Sequence, residues 1–233
     1  MRTRVFFLCA VLACLLAVPV RAGEAVDPDE APILLCQRVI CGRAMVIDLV
    51  KPSVLEAAPA DKLPFWNALL PALTESLSGR HAEAIAQFAE LASDYPRETL
   101  GDTTHAFLMR LNGVVLGKSG DFAGAVRAYD AMLDQYGGSS SPAVRRQVVF
   151  VMSHRAFTLG EGGDFDAQQE AFRELVEKYK TSADATVRYV VAGSWFNMAK
   201  AYDGEGLGDD ARRTFNAMRA GPGCRTLPKT SGN

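Results

Sequence analysis

Histidine is scarce in this chain, with three among 233 residues: His81, His105 and His154. None stands in HExxH spacing or beside a cluster of cysteines, so the common zinc-hydrolase and structural-zinc patterns are missing. A GxSxG elbow and a P-loop are missing too. The Gly-rich stretch "GEGLGDD" (204–210) lacks the P-loop Lys and the EF-hand ligand spacing, and similar stretches recur along the chain, which makes it a turn. Asp209 and Asp210 just after it suit the start of a helix better than acid–base chemistry. No enzyme, no cofactor and no metal site is therefore expected.

Cysteine is also sparse. Of five, Cys9 and Cys14 fall in the first 22 residues, leaving Cys36, Cys41 and Cys224. An odd number leaves one thiol over. Cys36 and Cys41 bracket "QRVI"; on a continuous helix they point apart, so a bridge between them needs a turn. A structural disulfide and free buried thiols remain the two alternatives, with the disulfide favoured.

Only one long uninterrupted apolar run exists, "VFFLCAVLACLLAVPV" (5–20), after the basic start "MRTR" and before the small residue Ala22. That layout is a secretory signal peptide, 1–22, with cleavage expected after Ala22. The run is short of the ~20 residues that a spanning helix prefers. "VLAC" (11–14) loosely resembles a lipobox with Cys14 as the acylated residue, but apolar residues continue where a polar tether would stand. The chain is thus expected to cross the inner membrane into the periplasm. It would associate with a membrane only if lipidated at Cys14 or left uncleaved. Loss of Arg2, Arg4 and Arg21 leaves a net charge of about −5, which disfavours nucleic-acid binding.

What the chain does have is self-similarity. Gly79, Gly120, Gly163 and Gly206 are 41, 43 and 43 residues apart. Five residues after each comes Ala84, Ala125, Gln168 or Ala211, and four further on Phe88, Tyr129, Phe172 or Phe215. Leu91, Met132, Leu175 and Met218 follow three residues later, and three units close on Tyr in "DYP", "QYG" and "KYK". Each unit reads as two helices joined by turns such as "GKSGDF" and "GEGGDF". Ser141 with Pro142, and Ser182 or Asp184, are candidate helix starts. In "WFNMAKAY" (195–202), Trp195, Met198, Ala199 and Tyr202 share one helical face. A small residue recurs at Gly113, Ala156 and Ala199, where two helices can approach closely.

This pattern resembles the tetratricopeptide repeat. Trp195, Met198, Ala199 and Tyr202 match the motif's first helix, and Ala211 and Phe215 its second. The period exceeds the usual ~34 residues, which implies first helices longer by about two turns. The first unit is weakest, with Pro71 inside its first helix and Glu75 in place of an aromatic. The resemblance covers residues 62–220 and implies an all-α fold, a right-handed superhelical array of antiparallel helix pairs (an α-solenoid). Long-period arrays of this type look like those in bacterial envelope proteins. Residues 23–61 then form an N-terminal apolar cap segment and linker. "ILLCQRVICGRAMVIDLV" (33–50) carries Arg38, Arg43 and Asp48, which argues against a membrane span, and "KPSVLEAAPADKLP" (51–64) has three prolines and reads as linker. Residues 221–233 read as a flexible tail.

In that family, partner segments lie against the concave side formed by first helices. Carried over position by position, the register nominates Phe107, Arg110 and Val114, then Phe150, Ser153 and Phe157, then Phe196 and Lys200. Trp66 is the first unit's equivalent of Phe107 and Phe150. Aromatics flanked by Arg or Lys suit a protein or peptide partner with apolar anchors and some negative charge, and such side chains should be partly exposed when no partner is bound. The implied function is an exported adaptor or scaffold. The alternative is a constitutive structural subunit of an envelope or secretion complex.

Overall fold

The computed structural model describes residues 27–40 and 45–220. The expected signal segment, Cys14, Cys41, Cys224 and the 221–233 tail lie outside the described residues. The described residues are all-α, with no strand among them. They fall into two compact units, and the chain passes from one to the other between Val151 and Met152. None of their helices is long and apolar enough to cross a membrane.

The first unit begins with α1 (Glu30–Ile40) and α2 (Met45–Ala57). A 3-10 turn (Ala60–Lys62) leads to α3 (Leu63–Leu77), α4 (His81–Asp94), α5 (Arg97–Ser119) and α6 (Phe122–Tyr136). The unit ends inside α7 (Pro142–Glu161). From α1 to α6, each helix packs on the next, and α1 also packs on α5. The second unit holds the rest of α7, then α8 (Phe165–Tyr179), α9 (Ala185–Gly204) and α10 (Gly208–Ala220), with α8 on α9 and α9 on α10.

Short polar turns with glycine make these reversals. Gly120 ends α5 at φ +90°, a left-handed conformation that a Cβ would strain. Its neighbour Asp121 donates its backbone N–H to the Leu116 carbonyl, and its side chain then accepts from Gly124 N–H at 2.8 Å to start α6. "GDF" at 163–165 repeats the device, with Asp164 accepting from Ala167 N–H. Gly79 and Gly206 also have positive φ. Ser141 accepts from Val144 N–H, and Asp184 from Val187 N–H at 3.0 Å, where α7 and α9 begin.

Small residues let partners close up. Gly113 of α5 faces the Tyr129 ring of α6 so closely that a Cβ would lie 2.6 Å from Cδ1. In the second unit Ala156, Ala171, Phe172 and Met198 form a buried cluster, with Leu159, Trp195 and Tyr202 packed around it. The first unit's core is larger. It joins Ile33 and Cys36 of α1, Ile47 and Val54 of α2, Phe65 and Trp66 of α3, Phe88 of α4 and Phe107 of α5. Each such side chain contributes about 1.5–3 kcal/mol on burial.

Two expectations change. The described part of the stretch 33–50, expected as a cap segment, belongs to α1 and α2, and both contribute to the first unit's core. The supposed linker from Lys51 is helical as far as Ala57, with Pro52 inside α2. Proline in a helix interior costs about 3 kcal/mol. Full burial of Ile47 and Val54, a heptad apart on one stripe, offsets that cost.

Candidate binding face

The nominated residues divide between the two units, and the first unit does not present its share openly. Phe107 is 0% exposed and Arg110 2%. The expectation that they stand partly open without a partner does not hold. The physical reason is α1, which packs on α5 and places Ile33 and Cys36 in the same core as Phe107. Phe107 instead lies 5.8 Å from Trp66, ring centre to ring centre. Val114 and Phe150 are half-buried.

Three of the nominated residues are brought together. The Arg110 guanidinium sits 5.2 Å from the Phe107 ring centre and 4.9 Å from that of Phe150. Its Nε and Nη2 atoms are buried and have no hydrogen-bond partner. Burial lowers the Arg110 pKa to about 10, against the pull of Tyr129 and Cys36 toward the charged form. Two aromatic faces return about 2 kcal/mol each to a desolvated cation. Dehydrating the ion costs several kcal/mol, and each unmet donor about 1–3 more. Arg110 is therefore a charge held in place without an adequate answer.

Cys36 is the α1 side chain that feels this charge. It is a free, buried thiol, so the favoured disulfide through Cys36 does not form. Burial pushes its pKa up to about 12, with Arg110 opposing. It is thus a neutral thiol rather than a thiolate partner for the guanidinium.

Further residues at this face were not nominated from sequence. The leading end of α1 is clipped down by two ion pairs. Asp29 meets Lys62 at 2.5 Å, and this pair lies over Gly101, whose φ of +70° interrupts α5. Glu30, 3% exposed, accepts from both Nε and Nη2 of Arg146 on α7. The acids "DE" (29–30) before an apolar run were the available signal, and they suit a helix N-terminus anyway. Their partners lie as far as 116 residues away.

In the second unit the nominated side chains are more accessible. Phe196 on α9 is 38% exposed, one of two large apolar side chains exposed among the described residues. It meets Phe215 of α10 edge-on at 5.9 Å. Lys200 pairs with Asp203 of its own helix at 3.1 Å. Ser153 and Phe157 on α7 are half-buried.

The histidines are dispersed. His105 Nδ1 lies 2.9 Å from the Tyr136 hydroxyl, and burial, with Arg97 nearby, lowers its pKa. Among the described residues no three His, Cys, Asp or Glu side chains converge in a way that could hold a metal ion. Neither a family model, nor a curated protein, nor a solved structure matches the chain.

Proposed function

We propose that this protein is an exported adaptor that binds other proteins in the cell envelope. Its helix pairs form a tetratricopeptide-like right-handed array, and its first helices supply the binding face. The array reading draws support from the left-handed glycines at 79, 120, 163 and 206 and from the close approach of Gly113 to Tyr129. The binding reading is carried by one observation. Phe196, a large apolar side chain at the nominated register of a first helix, is left 38% exposed.

An exposed aromatic beside Lys200 suits a partner segment with an apolar anchor and an acidic neighbour. The test is crosslinked recovery of partners from native membranes with Phe196→Ala and Lys200→Ala together. Recovery should fall several-fold while the melting midpoint stays within about 2 °C, because truncating exposed side chains costs little stability. Unchanged recovery by a folded double variant would rule out this face. Unfolding of the double variant would instead make these residues part of the packing.

A further inference from the structure

The face beneath α1 carries three cations: Lys62, Arg110 and Arg146. Helix α1 and the residue before it answer two of them, Lys62 through Asp29 and Arg146 through Glu30. One turn past Glu30, Ile33 enters the core, and one turn further comes Cys36. At that third place α1 carries a thiol, Cys36, in the same core as Phe107, whose ring lies 5.2 Å from the Arg110 guanidinium, and Arg110 Nε and Nη2 stay unpartnered. The apolar part of the face is aromatic, with Trp66 and Phe107 in the same core as Ile33. Shape and charge together describe a helix that α1 matches in all but one position.

We propose that this face is a docking surface for an acidic amphipathic helix of a partner protein, with α1 as its resident occupant. Arg110 recognises a carboxylate on the incoming helix at the place where α1 carries Cys36. The ligand has one acid just before its first turn and one at its first helical position, then an apolar residue and a carboxylate at successive turns on the stripe of the first acid. Acids in the first turn also favour the helix dipole. A carboxylate placed on a buried guanidinium makes a charge-assisted bond stronger than any that the thiol offers. The partner helix therefore displaces α1 by that one contact. This rests on the protein-binding function proposed above and adds the chemistry of the ligand and the step that uncovers the site.

The experiment uses the full chain with Cys9, Cys14, Cys41 and Cys224 each changed to Ser, leaving Cys36 as the reporter thiol. Two synthetic peptides spanning residues 27–40 serve as probes, one carrying Cys36→Asp and one Cys36→Ala. A maleimide labels Cys36 slowly while α1 is docked, since the thiol is 1% exposed. At saturation the Cys36→Asp peptide should raise the labelling rate about ten-fold or more over the Cys36→Ala peptide. Arg110→Met should abolish the difference between the two peptides. Equal acceleration by both overturns the proposal and points to α1 of a second copy as the fitting occupant. No acceleration by either also overturns it, because α1 is then not displaceable.

A measurement within the chain itself keeps the test open should Arg110→Met fail to fold. Cys36→Asp should raise the melting midpoint above that of Cys36→Ser if Arg110 awaits a carboxylate, and a lower midpoint overturns the proposal. Failure here with Phe196-dependent recovery intact leaves the adaptor function standing, and the reverse result removes the adaptor function without touching α1.

Discussion

Gly113→Ala sets two known effects against each other on one helix. Alanine in a helix interior is favoured over glycine by about 0.8–1.0 kcal/mol. At Gly113, however, the new Cβ would lie 2.6 Å from Cδ1 and 2.8 Å from Cζ of Tyr129. Tyr129 is 2% exposed, and these are atoms of its ring rather than the end of a flexible chain. The ring must move bodily within a packed core, an overpacking that costs about 1–3 kcal/mol. With the clash at the upper end of that range, the net loss is about 1–2 kcal/mol, or a midpoint lower by roughly 2–8 °C. Gly193→Ala in α9 supplies the control. Nothing lies within 4 Å of its Cβ, so only the propensity gain remains and the midpoint should rise by about 3 °C. Gly160→Ala falls between them, since the group in its way is the amide of Gln168, which can swing aside. Thermal melts followed by far-UV circular dichroism measure all three, and Tyr129→Leu should recover part of the Gly113→Ala loss. A rise with both Gly113→Ala and Gly193→Ala would refute the close approach of α5 to α6.

Other expectations follow from single sites. Ala199 is fully buried, so Ala199→Trp should lower the second unit's stability by about 1–3 kcal/mol or more, read from the same melts. Burial and then Arg97 hold His105 below its ordinary pKa, so protonation favours the unfolded chain. Its contribution is complete above the unfolded value of about 6.5 and is lost as pH falls through the folded one. Denaturant midpoints measured from pH 8 to pH 5 should therefore fall, and His105→Gln should flatten that part of the profile. Arg110→Met should leave the midpoint unchanged or higher, because an apolar chain of similar reach removes an unanswered buried charge. A marked loss of stability would mean that the two-ring stack outweighs the desolvation.

Beyond the N-terminal stretch, the helices, several of their ends and the tight contact at Gly113 were legible in the sequence because each is written within one or two turns of chain. Alternation on a 3.6-residue period marked the buried stripes. Glycine at 120 and 163 marked positive φ, aspartate or serine at 141 and 184 marked helix starts, and the small residue at 113 marked a crossing. Only the tertiary structure decided which helix faces stay open. Phe107 and Phe196 were both nominated for the same face from sequence, yet one is fully enclosed and the other 38% exposed. The difference is what lands on them. For Phe107 it is α1, held by Glu30 to an arginine 116 residues away, and no local pattern encodes a contact of that span. The same long-range burial makes the proline-bearing stretch around Val54 helical against its own propensity. It also makes Arg110, nominated as a surface cation, a buried one with two donors unanswered. Local sequence sets what a helix offers, and the free energy of covering it is settled between segments far apart in the chain.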